Sequence, residues 1–218
     1  MIKVWFHLHS EYSLDGCLKL NKIINLAEKN NIQAVILIDH NNLVPPEELE
    51  KIKKIKIISG EEIKTKEGEI IGLFLKEKIE PNLSPEETIR KIKEQGGLII
   101  IPHPFDHFRR EVIKKEALLR IVDQIDIVEI FNSRNILNSD NKKALEFAKK
   151  YNKVFIVGSD AHSIFEIDKT LIEMDDFSDP NNFLEKLKKA KFYTYRSSIF
   201  VHFLSTLNKI LRKFRILK

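Results

Sequence analysis

Six short apolar runs in this chain each end in, or lead directly into, a histidine or a carboxylate. They are Ile2–Phe6, Ile32–Ile38, Ile55–Ile58, Leu98–Ile101, Ile125–Phe131 and Val154–Val157. None alternates strictly between apolar and polar residues, so strands built from them are expected to be covered on both faces. Amphipathic helical patterns separate most of them, at Leu20–Lys29, Pro85–Gln95, Val112–Val122 and Asn141–Tyr151. Ser84 is a candidate N-cap for the second of these, which stops at Gly96-Gly97. A strand pair, Glu62–Lys64 and Ile70–Leu75, is joined by a turn around Glu67-Gly68. Strands alternating with helices imply a parallel sheet with right-handed crossovers. About seven such units can close into an irregular barrel, smaller than the familiar eight-fold one.

The residues at the ends of the runs are the informative part. They are His7-Leu8-His9, Asp39-His40, Glu61-Glu62, His103 between two prolines, Glu129 leading into Asn132, and Asp160-Ala161-His162. In parallel α/β barrels the C-terminal ends of the strands converge on one face, so residues distant in sequence share one pocket. In an extended segment, residues two apart point to the same side, so His7 with His9, or Asp160 with His162, can grip one ion. Imidazoles with carboxylates suit Zn²⁺, Mn²⁺ or Fe²⁺ better than Ca²⁺. A lone His-x-His or Asp-His pair is a weak signal. Here, however, five of the seven histidines fall at run ends, and burying such groups unpaired is costly.

Composition narrows the class further. With 218 residues, 43% hydrophobic and 32% charged, the chain reads as one globular domain. It shows no cleavable apolar leader and no apolar stretch long enough to span a bilayer. Its single cysteine, Cys17, cannot form an intrachain disulfide, which fits a cytoplasmic location, and is read as a packing residue. Heavy use of Lys, Glu and Ile suits the surface ion-pair networks of a thermophile. Of 37 Lys and Arg, seven lie from Lys191 onward with no acidic residue among them, leaving 30 basic against 32 acidic residues before it, a net of −2. The body is nearly neutral and the tail basic, so a local basic patch is indicated and a global nucleic-acid surface is not. The apolar stripe Phe200, Phe203, Leu204, Leu207, Ile210, Leu211 and Phe214 has helical spacing. The expected organisation is a barrel at 1–198 and a basic amphipathic helix at 199–218 docked on it.

In order along residues 7–163, the segments His7-Leu8-His9, Ser13-Leu14-Asp15-Gly16, Ile38-Asp39-His40-Asn41, Gly60-Glu61-Glu62-Ile63, Pro102-His103-Pro104, Glu129-Ile130-Phe131-Asn132 and Gly158-Ser159-Asp160-Ala161-His162-Ser163 resemble the polymerase and histidinol phosphatase (PHP) family of metal-dependent phosphoesterases. The resemblance implies a distorted seven-stranded TIM-like (β/α)7 barrel carrying two or three divalent metals. His7, His9, Glu62 and Asp160 would hold the first ion. Glu62 would bridge to a second, shared with His103 and, from the Glu129 strand, Asn132. Asp15, His40 and His162 would hold the third. Asp39 would orient its neighbours. Asp160 and His162 become the catalytic candidates, with Arg134 beside them. Arg109, Arg110 and Arg134 are candidates for binding substrate phosphate, Arg196 is a weaker one, and His107 is expected to be a solvated loop residue.

Three functions of different classes follow. The first is a phosphatase or phosphodiesterase acting on a small phosphorylated metabolite or nucleotide. The second is an exonuclease that holds nucleic-acid ends through the basic tail. The third is a non-catalytic barrel that binds a partner, which intact ligand motifs argue against.

Overall fold

The computed structural model describes residues 1–13, 15–167 and 169–198. The expected C-terminal helix at 199–218 lies outside the described residues. The elements run β1 (Ile2–Leu8), α1 (Leu20–Lys29), β2 (Ala34–His40), α2 (Pro46–Leu49), β3 (Lys56–Thr65), β4 (Gly68–Leu73), α3 (Pro85–Glu94) and β5 (Leu98–Ile101). They continue with α4 (Lys115–Arg120), β6 (Ile127–Asn132), α5 (Asn138–Lys150), β7 (Val154–Gly158), β8 (Leu171–Met174), α6 (Pro180–Leu187) and β9 (Lys191–Tyr193). Local chemistry sets several of the boundaries. At α3, for example, Ser84 Oγ accepts from Glu87 N at 3.2 Å while Glu87 Oε2 accepts from Ser84 N at 2.9 Å, a reciprocal cap on the first turn.

All nine strands join one sheet in the order β7-β6-β5-β4-β3-β2-β1-β8-β9. The apolar runs are continuous because alternate residues serve two cores. Val4, Phe6, Ala34, Ile36, Ile38, Leu98, Ile100 and Ile127 fill the interior, which Phe177 and Phe183 plug. Their neighbours Trp5, Val35 and Leu37 pack under α1, and Ile99 and Val128 pack under α3 and α4.

The sheet nearly closes on itself. The first half of β1 pairs antiparallel with β8, from Ile2↔Met174 to Val4↔Ile172. Its far end instead meets the segment after β7, where Ser159 N donates to Phe6 O at 3.1 Å and His9 N to Ala161 O at 2.9 Å. Closure therefore occurs at the C-terminal ends of the strands, where the polar residues gather.

Two expectations are corrected. Among the described residues the sheet has nine strands, not seven, and is not all parallel, because β4 runs antiparallel to both β3 and β5. Only Lys66 and Glu67 separate β3 from β4, and a parallel return needs a crossover of a dozen or more residues. The runs read as separate strands at Ile55–Ile58 and Glu62–Lys64 are one strand, with Gly60 inside it.

Candidate metal centre

The site begins with a bulge. Val4 and Phe6 point into the barrel, so uninterrupted alternation would place residue 8 inside and both histidines outside. The register of β1 shifts between Phe6 and Leu8, and His7 takes a left-handed φ of 66°. Leu8 then turns outward into the core under α1, and the rings of His7 and His9 come together at 5.1 Å. A second bulge interrupts β6 between Glu129 and Phe131. His103 (φ 29°) and Asp160 (φ 53°) are also left-handed. Non-glycine residues pay for that conformation, and such strain collects where function requires it.

Eight of the expected ligands converge on one pocket. Glu62 Oε2 lies 3.5 Å from His7 Nε2 and 3.6 Å from His9 Nε2, and His9 Nε2 lies 3.3 Å from Asp160 Oδ1. On its other oxygen, Glu62 Oε1 is 2.9 Å from His103 Nε2. Asp15 Oδ2 faces His162 Nε2 at 3.3 Å and His40 Nε2 at 3.6 Å. The ring of His9 stacks between those of His162 and His40, at 4.1 and 4.5 Å.

The electrostatics follow from burial and crowding. Burial, and then the neighbouring His162 and His40, hold His9 well below its usual range, so it is neutral and free to ligate. Burial pushes Glu62 up, but His40 and His7 outweigh it and keep the carboxyl ionised. For Asp160 burial is likewise outweighed, chiefly by Arg109. Burial lowers His40, yet Glu62, Glu69 and Asp15 raise it to about 9. A cation entering here must therefore displace a proton from His40.

Around this set lies a ring of fixed partners. Glu129 Oε1 meets His7 Nδ1 at 2.8 Å, and its Oε2 accepts from His103 N at 2.8 Å. Carboxylates commonly fix metal-binding imidazoles in this way. Asp39 accepts from Ser10 N at 2.6 Å and Ser10 Oγ at 2.7 Å, locking the turn after His9. Glu61 points away and accepts from Ile79 N at 2.8 Å, so Glu62 is the member of that pair in the pocket.

Arg109 enters the pocket, donating to Asp160 Oδ2 and, at 3.2 Å, to His103 Nε2. Arg110 is exposed. Arg134 is buried beside His162, with its Nε 3.6 Å from Glu166 Oε1. Arg196 contacts the carbonyl of Ile136. His107 is half exposed, as expected of a loop, but its Nδ1 is 2.6 Å from the buried Asp140 Oδ1. Asn132 reaches the pocket with its amide already engaged. Nδ2 donates to Glu129 Oε2 and Asp160 Oδ2, each at 3.0 Å, and Oδ1 accepts from Arg134 N at 2.9 Å.

Sequence reasoning missed Glu69, whose oxygens lie 3.5 Å from His40 Nδ1 and 3.9 Å from His103 Nε2. It sits at the start of β4, whereas the pattern of apolar runs marks only the ends of strands. The usable signal was the Glu67-Gly68 turn, which returns the chain to the same rim.

The donor set fits divalent metals. His7 Nε2, His9 Nδ1 and Nε2, Glu62 Oε2 and Asp160 Oδ1 are buried without a hydrogen-bond partner among the described residues. Four overlapping groups of these side chains place their ligand atoms within 4.8 Å of one another.

A family model described as PHP-associated matches residues 138–192. Two uncharacterised proteins of Methanocaldococcus jannaschii are similar in sequence. One is 39% identical over 86% of this chain and 79% of its own length, the other 42% identical over 61% and 82%. A crystal structure of a two-domain protein from Bacteroides vulgatus, said to contain a predicted PHP-like metal-dependent phosphoesterase, superposes with a TM-score of 0.68 at 20% identity. It covers 89% of this chain and 65% of that one, so the chain spans just under two thirds of that protein. With this relationship and the ordered ligand segments now gathered at one barrel rim, the chain belongs to the PHP domain family.

Proposed function

We propose that this protein is a metal-dependent hydrolase that cleaves the phosphate ester of a small phosphorylated metabolite or nucleotide. The observation that carries the reading is the convergence of buried, unpartnered nitrogen and oxygen atoms from His7, His9, Glu62 and Asp160 beside Arg109. A scaffold that only bound a partner would gain nothing from leaving such groups without hydrogen bonds, since each costs about 1–3 kcal/mol.

His7, His9, Glu62 and Asp160 would hold one ion, His103 with Glu62 a second, and Asp15, His40 and His162 a third, as Zn²⁺, Mn²⁺ or Fe²⁺. When bound, such ions acidify water to near-neutral pKa and neutralise charge on phosphate oxygens. The protein's own groups do the rest. The Asp160 carboxylate accepts a hydrogen bond from the attacking water and aims it at phosphorus. Arg109 and Arg134 bind the phosphate oxygens, with the planar fork that suits them. His162, held by Glu166 through its backbone N–H at 3.1 Å, keeps its Nε2 toward Asp15.

A second reading, an exonuclease on nucleic-acid ends, draws on the basic residue Arg196. Ser197 N donates to Ser133 O at 2.8 Å, which sets Arg196 beside residues 132–134. No helix among the described residues is long and apolar enough to cross a membrane, and a cytoplasmic setting belongs to the same proposal. Turnover of sugar phosphates, nucleotides and short oligonucleotides with Mn²⁺ tests the reading. Chelator-sensitive release of phosphate from a monoester supports it, and preference for oligonucleotides favours the second. A metal-loaded protein inert on every ester contradicts both.

A further inference from the structure

We propose that Glu69 is a metal ligand, sharing an ion with Glu62 beside His40, in place of the donor that the family resemblance gives to residue 132. The inference rests on the metal-centre reading and deepens it.

Two independent observations meet here. The first is that Asn132 is spoken for. Its amide nitrogen faces two carboxylates and its oxygen accepts from Arg134 N, which fixes the amide's orientation. To ligate, it would have to release that backbone bond and turn its oxygen toward Asp160. The second is that a further carboxylate stands across the same pocket. Glu69 is 6% exposed and its two oxygens address His40 and His103. Glu62, which is fully buried, addresses the same two histidines at 3.3 and 2.9 Å, and its Oε2 has no hydrogen-bond partner. Two donors sharing an ion at about 2.1 Å each can be at most about 4.2 Å apart. The 3.5 Å from Glu69 and the 3.3 Å from Glu62 to His40 Nδ1 both satisfy that limit, and ligand atoms of His40, Glu62 and Glu69 all lie within 4.8 Å of one another.

The fold holds Glu69 in place. Gly68 has φ +121°, and a Cβ there would lie 2.3 Å from Ile113 Cα, so only glycine allows the hairpin to tuck against that loop. Glu69 N donates to Glu111 O at 2.8 Å, and Lys114 N to Glu67 O at 2.8 Å. The inverted strand thus carries a carboxylate to the rim that a parallel strand would leave at the opposite end. With two carboxylates and one imidazole, this position is harder than one built mainly from histidines and suits Mn²⁺ or Fe²⁺.

The test is metal content, read by elemental analysis and Mn²⁺ titration of the full-length parent, Glu69→Gln, Glu69→Asp and Asn132→Ala, each checked for folding by circular dichroism. We expect Glu69→Gln to lose one ion per chain, or bind it at least about 10-fold more weakly. Glu69→Asp, which keeps the charge but shortens the reach, should fall between it and the parent, and decides the matter if the Gln variant does not fold. Asn132→Ala should keep the parent's number of ions. Full loading and unchanged affinity in both Glu69 variants, or loss of the ion in Asn132→Ala alone, would overturn the assignment while leaving the metal centre intact. A folded parent that binds no Mn²⁺ or Zn²⁺ would instead remove the centre itself.

Discussion

Gly158, the last residue of β7, is where the metal centre and the stability of the fold meet. A Cβ at this position would lie 2.1 Å from Glu129 Oε1 and 2.9 Å from His7 Cβ. Gly158→Ala must therefore push the Glu129 carboxylate off His7 Nδ1, and with it the bonds to His103 N and Asn132 Nδ2. Overpacking of this kind costs about 1–3 kcal/mol, and a lost hydrogen bond to a buried charge about 1.5–3 kcal/mol more. A combined loss of about 2.5–6 kcal/mol would lower Tm by about 5–24 °C in a domain of this size. Release of the imidazole orientation should weaken metal binding by about 10- to 100-fold. The assays are thermal unfolding of the apo protein and Mn²⁺ titration. The informative control is the double variant. Once Glu129→Ala has removed the obstructing carboxylate, adding Gly158→Ala should cost much less than it does alone, because the two share one contact. Additive losses, or a Gly158→Ala protein with the parent's Tm and affinity, would refute the argument that this glycine exists to make room for Glu129.

Glu61 is buried, its Oε1 is unpartnered, and burial raises its carboxyl to about 7. The folded apo chain therefore holds a proton that the unfolded chain releases between about pH 4.5 and 7, and stability falls as pH rises through that window, by at most about 3 kcal/mol. Glu61→Gln should abolish this fall, raising Tm at pH 8 and not at pH 4.5; an equal change at both pH values would contradict the assignment. Truncation after Ser198 should leave Mn²⁺ content per chain unchanged, because the removed segment carries one histidine and no carboxylate side chain; loss of metal from a folded truncation would show that the tail contributes to the centre.

Much of the site was legible because two regularities reinforce each other. Apolar runs mark strands, and parallel strands bring their ends to one rim, so His40, Glu62, His103, Asp160 and His162 could be grouped without knowing the order of the sheet. The rings of His7 and His9 do come together, but alternation alone would have turned them outward. The bulge at His7, driven by packing of Leu8 under α1, supplies the missing half-turn. Glu69 was invisible to a rule about strand ends because β4 runs the other way. The strands β8 and β9, of four and three residues, are too short to leave a periodic signal. The engaged amide of Asn132 depends on Glu129, Asp160 and the backbone of Arg134, a meeting that spacing does not encode.

The proposed hydrolysis of a phosphate ester turns on Asp160, which touches His9, Asn132 and Arg109 at once. The most direct measurement is the rate of phosphate release by the parent and by Asp160→Asn on a substrate the parent turns over, at equal Mn²⁺ loading. Removing the charge while keeping the shape should cost about 10²-fold or more, and chelator should abolish the parent's activity, with added Mn²⁺ restoring it. Equal rates for the two proteins, or full activity in chelator, would contradict the account.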